Sequence, residues 1–269
     1  MMQKPAIMNI INRKGSKKYI LKYIYPYIPP HRYYIEPFFG TGAFFFNKEK
    51  VKYNTVNDYD GEVFNLFLVI KNKKDDFLKK FLSVPMDRQI IKYWQKNKEQ
   101  EDVWRAVRFC YLNKYTKQEG LIKISCENIS KFVTDNITQT VDFIFSMLRG
   151  VTILNFDFRK FLKSINFKHE TYYPHTFIYA DPPYLNTTHE YNAPAFTFQD
   201  TSELFDILHF YSKKGAKIMI SELYQNEIID LCNAYNFNIK IIKEKRICDT
   251  KNTQSEVIIT NYEINNNIF

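Results

Sequence analysis

The feature that most restricts this chain is an apolar run, Phe177-Ile178-Tyr179-Ala180, that stops on Asp181-Pro182-Pro183-Tyr184. Two consecutive prolines lack N–H donors and fix φ, so neither a helix nor a central strand passes through them. They also push the residue before each toward extended geometry. The run therefore predicts a short buried strand ending in a rigid loop. Further strands are predicted at Tyr33–Glu36, Asn54–Asn57, Thr152–Phe156, Lys217–Ile220 and Val257–Asn261, with helical stretches between several of them. An amphipathic helix is predicted over 17–28, closed by Pro29-Pro30, with others from Ala43 and near Gly61–Lys71. Such alternation implies an α/β fold with a mostly parallel sheet wrapped by helices. Ligands then bind at the carboxyl ends of the strands.

Between about Ser83 and Gly150 the pattern becomes purely helical, with Trp94, Trp104, Val107, Cys110, Tyr111 and Leu112 as predicted core. This predicts a helical subdomain over 83–150, inserted between the second and third strands of a core made of 1–82 and 151–269. A chain of 269 residues is long enough for that arrangement.

The formal charge is +9, and the excess is uneven: seven basic residues and no acidic one precede Glu36. That balance favours a polyanionic partner, though many basic proteins never touch nucleic acid. The four cysteines form no C-x-x-C pair and no zinc-like spacing with histidine, so no metal site or disulfide framework is expected. No apolar run reaches the roughly 18 residues of a membrane span. No apolar core of a signal peptide is present either, and a cytoplasmic protein is expected.

Glu36-Pro37-Phe38-Phe39-Gly40-Thr41-Gly42 follows one predicted strand and opens a helix. Gly40 and Gly42 allow positive φ and close approach of a ligand to the backbone. A dinucleotide fingerprint requires a third small residue, and that position is Phe45. Asp58 ends the second strand, sixteen residues after Gly42, where a carboxylate can take both hydroxyls of a ribose. This pair fits a nucleoside such as S-adenosylmethionine better than a nicotinamide dinucleotide. An ordinary strand-to-helix turn at the glycines, and a helix N-cap at Asp58, are the plainer alternatives.

The loop Asp181–Tyr184 suits chemistry at an exocyclic aromatic amine, whose lone pair is delocalised into the ring. The Asp181 carboxylate and the Pro182 carbonyl can both accept N–H bonds from that amine. They thereby favour a pyramidal nitrogen with its lone pair aimed at a methyl donor. Pro182 and Pro183 stiffen the loop and remove competing donors, while Tyr184 offers a flat face to a base taken out of the duplex. Catalysis of this kind is positioning plus electrostatics.

With these segments in order along nearly the whole chain, the sequence resembles the Dam-type, D12 class N6-adenine-specific DNA methyltransferase family. Gly15-Ser16-Lys17 is similar to its N-terminal motif, whose lysine helps hold the cofactor. Glu36–Gly42 is similar to its E-P-F-x-G-x-G cofactor loop, Asp58 to its ribose-binding acid, and Asn155-Phe156-Asp157-Phe158 to the segment flanking the cofactor's adenine. Asp181–Tyr184 matches its catalytic D-P-P-Y. Phe196-Thr197, Ser221 and Glu256–Tyr262 resemble later motifs. The resemblance implies a Rossmann-like methyltransferase core with 83–150 as a helical target-recognition insertion. It also implies S-adenosylmethionine as methyl donor and double-stranded DNA as partner, with a companion restriction endonuclease in some settings.

The site residues it implies are Asp181, Pro182, Pro183 and Tyr184 for catalysis. Arg13, Lys17, Glu36, Phe38, Gly40, Gly42, Asp58, Asp157, Phe158 and Asp181 are implied for the cofactor, and Lys114 and Lys123 for DNA. Arg13 stands where the family usually places an aromatic. Gln118–Lys123 replaces a stretch in which GATC-specific members carry an aromatic, an asparagine and an arginine, so that specificity is not carried over. Cytosine N4 or an RNA base as acceptor, a non-catalytic nucleic-acid-binding relative and a nicotinamide-dependent oxidoreductase are the competing readings.

Overall fold

The computed structural model describes residues 10–11, 20–85, 87–116, 129–185, 195–246 and 253–264. Arg13, Gly15-Ser16, Lys17 and Lys123 lie outside them. The chain divides into two compact units. The first comprises Met1–Lys18, Gly40–Lys50 and Asp60–Asn155, the second Tyr19–Phe39, Val51–Tyr59 and Phe156–Phe269.

The second unit is built on strands β1 (Tyr33–Glu36), β2 (Tyr53–Asn57), β4 (Thr176–Ala180), β5 (Lys217–Leu223), β6 (Asn238–Arg246) and β7 (Thr253–Thr260). They lie in the order β2-β1-β4-β5-β7-β6. The first four are parallel, with Tyr33 opposite both Tyr53 and Thr176, and Phe177 opposite Lys217. All five residues of β4 are buried, as a central parallel strand covered on both faces demands. β7 runs antiparallel to both β5 and β6.

The strand β6 was not predicted. Its sequence, Asn-Ile-Lys-Ile-Ile-Lys-Glu-Lys-Arg, hides a two-residue alternation under many charges. Edge strands commonly carry lysine, which discourages pairing with other chains. Helices α8 (Phe158–Ser164), α9 (Phe198–Lys213) and α10 (Asn226–Tyr235) complete this unit, α9 burying Leu204, Phe205, Leu208 and Tyr211 on one face. The helix predicted over 17–28 is shorter within the described residues: α1 spans Leu21–Ile24 and passes into a 3-10 turn at Tyr25–Tyr27. Pro26 explains the change, since it cannot donate within a continuing α-helix.

The first unit contains α2 (Ala43–Asn47), α3 (Gly61–Asn72), α4 (Lys74–Ser83), α5 (Arg88–Lys96), α6 (Asp102–Tyr115), α7 (Ile129–Leu148) and strand β3 (Val151–Leu154). Asp60, Asp87 and Glu101 cap α3, α5 and α6 through their carboxylates. The predicted core residues Trp94, Val107, Cys110 and Tyr111 are buried. Trp104 and Leu112 are only half-buried. They share a helix face with Arg108 at four-residue spacing, and that face turns away from the one carrying Val103, Val107 and Cys110. Lys80 covers Trp104, its Nζ lying 5.2 Å from the ring centroid.

Candidate active site

Three loops of the second unit start from the carboxyl ends of adjacent parallel strands. From β1, Glu36 is buried, and its carboxylate accepts a 2.7 Å hydrogen bond from the Tyr34 hydroxyl. Residues two apart on a strand share a face, so Tyr34 and Glu36 meet without bending the backbone. Burial first, then the Glu36 carboxylate, pushes the Tyr34 hydroxyl well above its ordinary pKa. From β2 the chain enters Asp58, which is half-buried. The cap of the helix that follows is Asp60, whose Oδ1 accepts from the Glu62 N–H at 2.8 Å. Asp58 is thus not needed as an N-cap.

Asn57, at the end of β2, joins the loop after β1 to the segment that begins at Phe156. Its buried amide donates to the carbonyls of Pro37 and Phe156, both at 3.0 Å, and its Oδ1 accepts from the Phe156 N–H at 2.9 Å. Its own backbone carbonyl accepts from Phe39 at 2.8 Å. The segment Phe156-Asp157-Phe158 is thereby clipped to Pro37–Phe39. Three rings meet there, with centroids of Phe38 and Phe158 at 5.4 Å, Phe158 and Phe196 at 5.7 Å, and Phe38 and Phe196 at 5.9 Å. Asp157 caps α8 by accepting from the Arg159 N–H at 2.9 Å.

The third loop leaves β4. Asp181 is half-buried, Pro182 is buried, and Pro183 and Tyr184 are partly covered. Behind them the Tyr179 hydroxyl lies 3.0 Å from Ser221 Oγ on β5. Burial, then the charge of Asp181, pushes the Tyr179 hydroxyl well above its ordinary range, against the lowering effect of the Ser221 hydrogen bond. The strand pairing sets Phe38, Asp58 and Asp181 at one edge of the sheet, on neighbours in the order β2-β1-β4. An apolar ring cluster and carboxylate acceptors in one unit offer the stacking faces and hydrogen-bond acceptors that a nucleoside can use.

In the first unit, Gly40 and Gly42 have φ of +53° and +69°, in the left-handed region where only glycine rests without strain. Among the described residues, a Cβ built on Gly40 would meet nothing within 4 Å.

Comparison with known proteins decides the family. The family model for D12 class N6 adenine-specific DNA methyltransferases matches residues 14–248. The chain belongs to this family. A type II methyltransferase of Lactococcus lactis subsp. cremoris, M1.LlaDCHI, is 24% identical over 281 aligned positions, covering 92% of this chain and 93% of that protein. The DNA adenine methylase of Escherichia coli K12 is 31% identical over 107 positions, 38% of each chain.

As a D12 methyltransferase the protein modifies adenine in DNA, on a Rossmann-like methyltransferase fold, which sets aside the cytosine, RNA and oxidoreductase readings. Of the residues predicted for its site, Phe38 and Phe158 are in ring contact. Glu36, Asp58, Asp157, Asp181, Pro182, Pro183 and Tyr184 share their unit, while Gly40 and Gly42 fall in the other. Lys114 sits half-buried in the last turn of α6, where a cation complements the helix dipole. Two basic neighbours on α6 have structural partners: Arg105 pairs with Glu62 at 2.8 Å, and Arg108 donates to the carbonyls of Trp94 and Asn97. Sequence reasoning missed Asn57 and Arg159 altogether and did not place Phe196 in the site. An asparagine directly before the ribose-binding candidate was the signal available for Asn57.

Proposed function

We propose that this methyltransferase takes its methyl group from S-adenosylmethionine and delivers it to N6 of an adenine turned out of double-stranded DNA. The observation that carries this reading is the convergence of Phe38, Asp58 and Asp181 at the carboxyl edge of three adjacent parallel strands. The Asp58 carboxylate would hold the ribose hydroxyls. Phe38 and Phe158 would flank the adenine of the donor, with Asp157 accepting from its amine. Glu36, Gly40 and Gly42, in the continuous loop after β1, would line the rest, together with Arg13 and Lys17. The sulfonium of the bound donor supplies an electrophilic methyl.

At the acceptor, the Asp181 carboxylate and the Pro182 carbonyl take N–H bonds from N6 and orient its lone pair. Pro183 holds the loop rigid, and Tyr184 stacks on the extruded base. We assign target recognition to 83–150, between a catalytic core of 1–82 and 151–269, with Lys114 and Lys123 on DNA phosphates. A restriction endonuclease is the partner this reading favours, because the relative that aligns along most of the chain is named a type II methyltransferase. A cytoplasmic location follows from a DNA substrate, and among the described residues no helix is long and apolar enough to cross a membrane.

The test is transfer of labelled methyl from S-adenosylmethionine to unmethylated DNA, with the product bases separated. N6-Methyladenine is expected, and Asp181→Ala should abolish transfer while circular dichroism still shows a folded protein. Label on cytosine alone, or transfer that survives Asp181→Ala, overturns the assignment. Lys114→Ala should weaken DNA binding similarly across sequences and lower the salt dependence of log K by about one unit of slope. An unchanged slope removes Lys114 from the interface.

A further inference from the structure

Arg159 is the most heavily engaged side chain near the ring cluster. Its guanidinium faces three carboxylates: Asp157 at 3.2 Å on its own turn, and Asp200 and Glu203 on α9. Its Cζ also lies 4.4 Å from the centroid of the Phe158 ring. A planar guanidinium forks to several acceptors in fixed directions, which a lysine ammonium cannot imitate. Burial works against the charge of Arg159, but Glu203, Asp200 and Asp157 outweigh it and hold the side chain firmly cationic.

The connection continues past the ion pairs. Asp200 is the third residue of a capping box: its Oδ2 accepts from the Thr197 N–H and hydroxyl, both at 2.6 Å, and its N–H donates to Thr197 Oγ1 at 3.2 Å. Phe196 immediately precedes Thr197. One oxygen of Asp200 therefore holds Arg159 while the other fixes the backbone that carries Phe196. Phe158 is held from the opposite side, by the cation over its ring and by Asp157 capping the start of α8. A single guanidinium thus joins both segments that supply rings to the cluster with Phe38.

We propose that Arg159 is a positioning residue for the methyl donor, fixing the placement of Phe158 and Phe196 so that the donor's adenine packs against the ring cluster beside Asp157. This rests on the reading of the ring cluster as the adenine site. A purely structural Arg159 would move thermal stability and leave donor affinity unaltered. As a positioning residue it controls affinity for the donor, with little effect on transfer once the donor is bound.

The experiment compares the wild-type protein with Arg159→Met, Arg159→Lys and Glu203→Gln. It measures the Kd of S-adenosylmethionine by calorimetry, and KM and kcat on saturating unmethylated DNA. Arg159→Met should raise both Kd and KM for the donor roughly tenfold, the scale of a lost charged hydrogen-bonding group. The kcat should stay within about twofold, and the KM for DNA should not move. Arg159→Lys should recover only part of the loss, and Glu203→Gln, which keeps two of the three ion pairs, should lose about two- to threefold. An unchanged donor Kd in a folded Arg159→Met protein overturns the proposal, as does a fall in kcat with KM unaltered. Should Arg159→Met not fold, the Lys and Gln variants decide by the same criterion. A wild-type protein that binds no S-adenosylmethionine sinks the donor assignment itself, a result distinct from equal binding by wild type and variants.

Discussion

Asn57 shows how much of a site can depend on one buried amide. A buried amide is costly unless its donors and acceptor are used, and here one side chain serves two carbonyls and one N–H on separate loops. Asn57→Ala leaves the Phe156 N–H and two carbonyls without this partner in a dry environment. The expected loss is about 2–3 kcal/mol in urea denaturation, above that of a typical surface change. A loss below about 0.5 kcal/mol would mean that water replaces the amide fully. Asn57→Asp keeps the acceptor and removes both donations, so it should fall short of rescue. The identity of this residue was open to reading, but its role was not. Which backbone groups stand opposite a side chain depends on segments 20 and 99 residues away, and no local pattern encodes them.

Among the elements, the turn into α2 is held by conformation more than by contact. Gly42 is the N-cap of that helix at φ +69°, and no side-chain cap bond is made there. Gly42→Ala should therefore cost roughly 1–2 kcal/mol through left-handed strain, read as a lower thermal midpoint. An unchanged midpoint would place the turn in another conformation. This turn was legible from its glycines, and β4 from an apolar run cut by two prolines. Both signals are local and chemically unusual. The strand β6 was not, because a charged edge strand presents a weaker alternation than a buried one. Trp104 and Leu112 were read as core since both are large and apolar. Their real position follows from helix phase, and Arg105, Arg108 and Lys114 between and beside them show that the face is mixed. Asp58 and Asp181 were read from spacing and neighbours, whereas Arg159 looked like an ordinary surface cation until α9 brought Asp200 and Glu203 to it.

For the whole molecule, the tyrosines set an upper limit of pH. The chain has 20 of them. Tyr34 and Tyr179 are fully buried with hydroxyls raised well above their ordinary value of 10.0, and Tyr211 is pushed up to about 12, burial being the largest cause in each. An unfolded chain ionises these groups near 10, while the folded chain keeps them neutral. Their contribution is thus complete below that value and is lost as pH rises from it toward the folded values. Ultraviolet titration should show one set of tyrosines ionising reversibly near pH 10 and another only together with unfolding. Reversible ionisation of all 20 in a still-folded protein would contradict the buried environment.

The place of β7 between β5 and β6 has a consequence for how the protein is made. β5 ends at Leu223, yet its neighbour on that side is Thr253–Thr260, about thirty residues further along the chain. As the polypeptide leaves the ribosome, β5 is available before the strand that will pair with it, and its row of N–H and C=O groups waits on that side without β7. Translation thus fills the sheet out of sequence, and one of its inner seams closes among the last events. A message truncated upstream of Thr253 would encode Asp58, Arg159 and Asp181 complete and still yield a sheet whose β5 lacks its antiparallel partner.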